Sequence, residues 1–403
     1  MRKTEYLIIG NGIAGLSAAK AIRANDKDGS ILMVTRQKQT TYLRPLLSKA
    51  GMKLADPRVL QMVDEAWHKE KRIELLTGTT VQEMDVRNHI VRCEKGSIEY
   101  RKCIYALGGD AWMPPVRGQN LPGIFVLRNI EDIQAIRRCT LRAKRAAVIG
   151  GGVIGMEIGE VLYRRGMQVT VLEMQPRILP RVLDQETAEN YIMQLARAGR
   201  GAQGSFRVQT NVNVEEILGE DRVTGIRLAD GGQMECDLVI FSCGIRSCVG
   251  LAERAGMEVD RAVIVDESMR TSAEDVFACG DCAQFQGTCA ALWEAAMEQG
   301  RIAGLAACGV YERYRPKKYP IFCNSSLVSM FAAGDLAVSG EDGYRVEVLE
   351  DREEKVLLTP RKQGSYMRLV YRKDRLVGAA LIGNLAGMQA LKERMTDAEG
   401  SYE

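Results

Sequence analysis

The sequence predicts an α/β protein built on two copies of one strand–turn–helix unit. In each copy a short apolar run leads into glycines spaced GxGxxG, and a helix-compatible run follows them. The glycines are Gly10, Gly12 and Gly15 in the first copy and Gly150, Gly152 and Gly155 in the second. A single such turn also occurs in ordinary α/β proteins, but two in one chain predict two dinucleotide sites.

Each glycine of such a turn has its own task. The first permits the tight turn, the second lets a pyrophosphate approach bare backbone, and the third lets helix and strand pack closely. Unpaired N–H groups at the start of the helix then bind the phosphates. Three neighbours within these turns join the glycines as candidate cofactor-binding residues: Ala14, Val153 and Ile154.

Composition places the chain among ordinary globular proteins. Its 403 residues suggest two or three domains, and 46% of them are hydrophobic and 27% charged. No run reaches the roughly 18 apolar residues of a membrane helix. The net charge of +3 is too small to suggest nucleic-acid binding, and no metal site is expected.

Eleven scattered cysteines fit a reducing compartment, and a first strand beginning by Glu5 leaves no room for a secretion signal. We therefore expect a cytoplasmic protein.

The second copy ends in an acid that indicates its ligand. A helix over 156–165 and a strand from Gln168 lead to Glu173, about 20 residues past the glycines. A carboxylate there accepts hydrogen bonds from both hydroxyls of an adenosine ribose. It would also repel a 2′-phosphate, and Met174 supplies no cation, so the pattern favours NADH over NADPH. The alternative is a solvated Glu at a strand end.

The first copy has no acid at the equivalent place. Its second strand, 31–34, is followed by Thr35, Arg36 and Gln37. Thr35 or Gln37 could hydrogen-bond a ribose, and Arg36 could lie across an adenine or contact phosphate. A surface arginine is an equally good interpretation of Arg36.

Two nucleotide modules, one of them with an NADH-type acid, suggest a flavoprotein that holds FAD in the first module and NADH in the second. Two further short apolar runs end in glycine, at 104–109 and at 274–282. With these segments the chain closely resembles the FAD-dependent pyridine nucleotide oxidoreductases with two dinucleotide-binding domains. Within them it is most similar to NADH:rubredoxin oxidoreductases and to ferredoxin-reductase and nitrite-reductase flavoprotein modules.

The resemblance covers nearly the whole chain and implies further cofactor contacts. In the family the pair Gly280-Asp281 positions FAD, and the helix starting near Trp293 runs beside the flavin ring. Leu107 stands where the family often has Thr, which costs a hydroxyl but not the glycine turn. The other positions that match family motifs at the two cofactors are Arg44, Pro45, Ala106, Gly108, Arg128 and Gly244.

The resemblance also implies the domain organisation. Residues 1–115 and 246–312 would bind FAD, and an NAD domain over 116–245 would be inserted between them. From Tyr319 the alternation of apolar and polar residues predicts antiparallel strands. In relatives this C-terminal α+β domain, here 319–403, covers one side of the flavin and often forms a dimer interface.

Lys49 and Glu157 are the candidate catalytic residues. Many members of the superfamily keep a redox cysteine near the flavin-facing turn, but the stretch 42–54 contains none. Lys49 instead resembles a lysine that some ferredoxin-reductase-like members place near flavin N5, paired with a Glu at the position of Glu157. The alternative is a solvated surface lysine.

Two cysteines have the CxxC spacing of redox-active thiols. Cys279 and Cys282 straddle the Gly-Asp pair expected at FAD, and Cys282 would begin a helix, where a thiol pKa can fall. We nevertheless expect no redox role for them.

The electron acceptor stays open between two hypotheses. The first is an NADH-oxidising reductase that serves a small carrier such as rubredoxin, and the second is a flavin electron-transfer subunit within a larger oxidoreductase complex. Two basic runs, 137–145 and 313–318, could steer an acidic partner, although solvated helix faces are the simpler interpretation.

Overall fold

A computed structural model describes residues 1–49, 56–201, 204–323, 325, 327–337, 343–351 and 365–395. The helices are α1 Ile13–Asn25, α2 Glu65–Glu70, α3 Ile130–Cys139, α4 Val153–Tyr163, α5 Gln185–Ala198, α6 Gly250–Arg254, α7 Trp293–Ala307 and α8 Met388–Met395. None of the helices within the described residues combines the length and the apolar character needed to cross a bilayer.

The strands run through the whole described chain. They are β1 Arg2–Ile9, β2 Ile31–Val34, β3 Ile73–Leu76, β4 Val81–Asp85, β5 Ile90–Cys93, β6 Gly96–Tyr105, β7 Gly109–Ala111, β8 Ile124–Val126, β9 Arg145–Ile149, β10 Gln168–Leu172, β11 Arg200–Gly201, β12 Gly204–Gln209, β13 Val214–Leu218, β14 Gly225–Leu228, β15 Gln233–Glu235, β16 Leu238–Phe241, β17 Ile245–Ser247, β18 Val263–Val265, β19 Val276–Ala278, β20 Ala283–Phe285, β21 Ile321–Cys323, β22 Met330–Gly334, β23 Tyr344–Asp351, β24 Ser365–Arg372 and β25 Arg375–Ile382.

The chain falls into two compact units, neither of which is continuous in sequence. Unit 1 consists of Met1–Leu46, Leu54–Asp110 and Ile245–Pro316. Unit 2 consists of Leu47–Lys53, Ala111–Gly244 and Lys317–Glu403. The boundaries of the three domains expected from the sequence stay a prediction.

Unit 1 is built on a sheet of strand order β3-β2-β1-β6-β5-β4, with β19 also paired to β6. Strands β1, β2, β3, β6 and β19 are parallel, and β1, which leads into the first glycine turn, lies between β2 and β6 with its last four residues buried. Helices α1 and α7 pack closely together. A Cβ at Gly300 would lie 2.1 Å from the carbonyl oxygen of Ala14, so this contact requires a glycine.

Unit 2 contains a six-stranded sheet of order β11-β12-β10-β9-β16-β8, parallel except for the pair β11 and β12. Helix α4 begins at Val153 and ends at Tyr163, so it starts earlier than the expected span 156–165. The C-terminal strands form the expected antiparallel sheet, of order β21-β22-β25-β24-β23. The α/β fold with two Rossmann-like sheets and a C-terminal α+β part is confirmed.

A buried ion pair ties the C-terminal sheet to helix α5 within unit 2. Arg368 of β24 is 2% exposed, and its guanidinium lies 2.7 Å from Glu186 Oε2 and 3.3 Å from Asp184 Oδ1. Asp184 also caps α5 by accepting a hydrogen bond from the backbone N–H of Glu186. One arginine therefore places its positive charge beside two acidic groups at the start of this helix.

Candidate functional site

The first glycine turn has the geometry of a phosphate cradle. Gly10 has φ +118°, and a Cβ there would lie 2.1 Å from the carbonyl oxygen of Ala106. A Cβ at Gly15 would lie 2.1 Å from the carbonyl oxygen of Gly10, so strand and helix are in close contact. Gly12 caps helix α1 and faces open space, with nothing within 4 Å of a Cβ built there. The helix start is therefore exposed to a ligand.

Gly280 lies against this turn. Its φ is +81°, and a Cβ there would lie 3.0 Å from the Ala14 methyl group. Its backbone N–H donates to Gln299 Oε1 at 2.8 Å, and the Ser247 hydroxyl donates to the carbonyl oxygen of Asp281 at 2.6 Å. The family's Gly-Asp pair is thus held beside helix α1 within unit 1.

The three candidate side chains that follow β2 have hydrogen-bond, ion-pair or ring contacts within the chain. Thr35 is buried, and its hydroxyl accepts a hydrogen bond from the N–H of Gln37. Arg36 forms an ion pair with Asp110, and both side chains are more than half exposed. The Arg44 guanidinium lies over the Tyr42 ring, 4.9 Å from its centroid.

The remaining first-site candidates divide between the two units. Four lie in unit 1: Pro45, Ala106, Gly108 and Trp293. Arg128 lies in unit 2, where its backbone N–H donates to Asp132 at the start of α3.

The second glycine turn repeats the first. Gly150 has φ +110°, and a Cβ there would lie 2.3 Å from the carbonyl oxygen of Ser242. A Cβ at Gly155 would lie 2.0 Å from the carbonyl oxygen of Gly150. Gly152 caps α4 and faces open space, as Gly12 does. Gly244 also has open space at its Cβ, with φ +93°.

The first turn of α4 presents side chains beside these glycines. Ile154 is exposed and Val153 half-buried, so both are reachable from solvent at the helix start.

Glu173 stands at the end of β10, beside the second turn. Its carboxylate accepts hydrogen bonds from the N–H of Gly151 at 2.7 Å and the N–H of Gln175 at 2.8 Å. These donors fix the carboxylate at the glycine turn. Each carboxylate oxygen has a further acceptor site, so the group can still bind ribose hydroxyls.

Lys49 and Glu157 are brought together within unit 2. Lys49 Nζ lies 3.1 Å from Glu157 Oε1, and the Ser48 hydroxyl donates to Glu157 Oε2 at 2.5 Å. Glu157 is 5% exposed on α4, whereas the Lys49 side chain keeps 29% of its surface exposed. Burial raises the pKa of Glu157, while Ser48 and Lys49 oppose that rise. The Lys49 ammonium also lies 6.0 Å from the centre of the Phe322 ring.

Sequence reasoning missed a second buried carboxylate in the same helix. Glu160, one turn after Glu157, accepts a hydrogen bond from the N–H of Leu327 at 3.2 Å. Tyr191 donates to the carbonyl oxygen of Val328 at 3.2 Å, so α4 and α5 both bind the segment before β22. Two glutamates at i and i+3 in an otherwise apolar helix were the available signal.

The CxxC pair is buried. Cys282 ends a short 3₁₀ turn, Gly280–Cys282, and β20 follows at once, so the expectation that it begins a helix was wrong. Its thiol donates to the carbonyl oxygens of Cys279 and Tyr105. Burial raises the pKa of Cys282 to about 12 and raises that of Cys279 well above its usual value. All eleven cysteines are free thiols.

Comparison with known proteins identifies the family. Residues 4–300 match the family described as Pyridine nucleotide-disulphide oxidoreductase. The chain belongs to this family. FAD and NAD(H) are the family's cofactors, and the chain carries two glycine turns.

Relatives in the family include whole-length and partial matches. The chain is 31% identical to the rubredoxin-NAD(+) reductase of Pseudomonas putida, over 89% of this chain and 97% of that protein. It is 31% identical to the nitrite reductase [NAD(P)H] of Bacillus subtilis, over 95% of this chain but 46% of that protein. The chain therefore spans about half the length of that relative.

A solved structure of the family shows the same architecture. The NADH:rubredoxin oxidoreductase of Clostridium acetobutylicum is 25% identical to the chain with a TM-score of 0.75, covering 98% of this chain and 95% of that one.

Proposed function

We propose that the chain oxidises NADH through bound FAD and passes the electrons to a small electron-carrier protein such as rubredoxin. The observation that carries this proposal is the pair of glycine turns, in which Gly12 and Gly152 both leave open space at a helix start. FAD would occupy the first turn, beside Gly280, and NADH the second, beside Glu173. FAD, when bound, accepts two electrons as hydride and can release them singly.

The chain's own residues would bind and orient the two dinucleotides. The N–H groups at the start of α1 and α4 would bind the two pyrophosphates. Glu173, held by two backbone donors, would bind the nicotinamide nucleotide's adenosine ribose and disfavour a 2′-phosphate there. This arrangement supports NADH over NADPH.

Lys49 would supply a fixed cation at the flavin ring, as its resemblance to the lysine of ferredoxin-reductase-like members implies. A cation near developing negative charge lowers the energy of that charge in a site shielded from water. Glu157 holds the Lys49 ammonium by an ion pair, and Ser48 holds Glu157 in turn. Lys49 is therefore the proposed catalytic residue at the flavin, and Glu157 its tether.

We further propose that no cysteine relay takes part. The buried thiols of Cys279 and Cys282 have raised pKa values, so little nucleophilic thiolate forms near neutral pH. Replacing Cys282 by Ala should leave the rate of flavin reduction by NADH within a few-fold of the wild-type rate. Loss of that reduction in a folded, FAD-loaded variant would restore the thiol hypothesis.

The alternative role, a flavin electron-transfer subunit of a larger oxidoreductase, is supported by the nitrite reductase relative that is about twice as long. Anaerobic rapid mixing of the NADH-reduced protein with rubredoxin and with ferredoxin separates the two roles. Fast reoxidation by one carrier supports the reductase. Sluggish reoxidation by every small carrier, with co-purification of larger subunits, supports the subunit.

A further inference from the structure

One of the two basic runs ends at the N-terminal edge of the six-stranded sheet in unit 2, the side on which the interior strands β9, β10 and β12 begin. Helix α3 ends at Cys139, a turn follows, and β9 begins at Arg145. The register places Gln168 of β10 beside Arg145, and Ser205 of β12 beside Gln168. The beginnings of three parallel strands therefore lie side by side: the first residues of β9 and β10 and the second residue of β12. Only the first residues of the run 137–145 belong to a helix, because α3 ends at Cys139. The rest of the run leads into β9 and lies at this edge, so a solvated helix face does not describe the whole run.

Four exposed cations gather at the edge. Two adjoining clefts of about 500 and 670 Å³ share Lys144 and Arg145, and Arg142 and Arg222 line the first while Arg207 lines the second. The acids in the clefts, Glu235 and Asp237, both bind the guanidinium of Arg145. The side chains of the other four cations form no ion pair with any residue that the structure describes. A positive excess is therefore left uncompensated.

An exposed apolar side chain stands in the same turn. Leu141 is 76% exposed, directly before Arg142. Cations spread along an edge next to an apolar residue match a protein surface better than a small anion, which needs donors converging on one point. The phosphates of a nucleic acid would pair with the cations but would make no apolar contact with Leu141.

We propose that this basic edge, defined by Leu141, Arg142, Lys144, Arg207 and Arg222, binds a partner protein through an acidic surface that also carries apolar residues. The five residues of β9 separate the edge from the second glycine turn by roughly 16 Å. A partner bound there leaves the nucleotide-binding turn open throughout turnover. The inference goes beyond the proposed electron transfer, because it concerns where a partner binds and not which molecule accepts electrons.

Binding of a labelled acidic peptide to the FAD-loaded protein tests the proposal. The probe is a peptide of six Glu-Glu-Leu repeats, compared by fluorescence anisotropy with one of six Glu-Glu-Ser repeats. We expect the leucine peptide to bind more tightly, and binding of both to weaken as salt rises. The variant Arg142→Glu, Lys144→Glu, Arg222→Glu should weaken binding at least tenfold. Leu141→Ser should weaken binding of the leucine peptide only.

The matched control is Lys27→Glu, Lys69→Glu, Arg87→Glu, which makes the same change in net charge at exposed cations of unit 1. Equal weakening in both triple variants would mean that only net charge matters, and the proposal would fall. Tighter binding of an 18-nucleotide single-stranded DNA than of the leucine peptide would overturn the choice of a protein partner. Flavin reduction by NADH should be unchanged in the edge variants, so this test is independent of the proposed electron transfer.

Discussion

The Lys49 ammonium lies 3.1 Å from a carboxylate oxygen of Glu157, in a pair that buries the acid and leaves the base partly open to solvent. An unpaired charge costs more free energy on the buried Glu157 than on the partly exposed Lys49, because water can still solvate the lysine. The exposed part of the Lys49 ammonium can therefore interact with a bound molecule while the Glu157 carboxylate holds it in place.

Replacing Lys49 by Met should slow flavin reduction by NADH and lower the flavin potential. A lost charged interaction of about 1.5–3 kcal/mol corresponds to a slowing of roughly 10- to 100-fold. Glu157→Gln should slow reduction less, because the cation survives but loses its tether. Stopped-flow bleaching of the flavin at saturating NADH measures both. Wild-type rates in Lys49→Met would leave Lys49 as a surface residue.

The pH dependence of stability should reveal the burial of Glu157. Its pKa is raised in the folded protein above the usual 4.5, chiefly by burial. Its contribution to the free energy of unfolding is therefore present at low pH and is lost as pH rises through the folded pKa. Glu157→Gln cannot lose it. The thermal midpoint of the variant, relative to that of the wild type, should therefore rise as the pH is raised above the usual carboxyl pKa and through the raised pKa of Glu157. A difference independent of pH would contradict the assignment.

The two open glycines allow a reciprocal test of which turn binds which cofactor. Gly12→Leu should purify with little FAD, because a side chain would occupy the place of the pyrophosphate. Gly152→Leu should keep its FAD and lose affinity for NADH. Both glycines have negative φ and open space at the Cβ, so neither change strains the fold. Absorbance spectra give FAD occupancy, and full occupancy in Gly12→Leu would refute the assignment.

Replacing Glu173 by Ala should raise the KM for NADH and narrow the preference over NADPH. The variant loses hydrogen bonds between the Glu173 carboxylate and the ribose, worth about 1.5–3 kcal/mol, so the KM for NADH should rise roughly 10- to 100-fold. Initial rates with both nucleotides test this. Faster reduction of the wild-type flavin by NADPH than by NADH would show that the ribose assignment is wrong.

Arg368→Met should destabilise the protein by about 3–5 kcal/mol, because the buried Asp184 would lose its cation. Urea denaturation measures the free energy of unfolding. Arg372→Met, an exposed change on the same strand, is the control. Equal stability of the two variants would mean that the ion pair makes no net contribution.

The glycine turns could be predicted because their requirements are local. A positive φ at Gly10 and the contact between Gly15 and the Gly10 carbonyl are dictated within six residues of chain. Ser48, Glu160 and Arg368 could not be assigned in this way, since each finds its partner far away in the sequence. Burial of Cys282 was equally hidden, because the CxxC spacing is the same in a reactive and an inert pair.

The glycine-mediated contact between α1 and α7 also dictates an order of events during translation. Helix α1 is synthesised before α7. Gly300, against which the Ala14 carbonyl packs, follows Ala14 in the chain by hundreds of residues. The six strands of the sheet β11-β12-β10-β9-β16-β8 emerge in between, so that this sheet contains no strand that is synthesised after α7. The nascent chain can therefore complete most of the second nucleotide module first. Until α7 appears, the side of α1 that packs against α7 stays uncovered, and apolar surface exposed in this way during folding promotes aggregation.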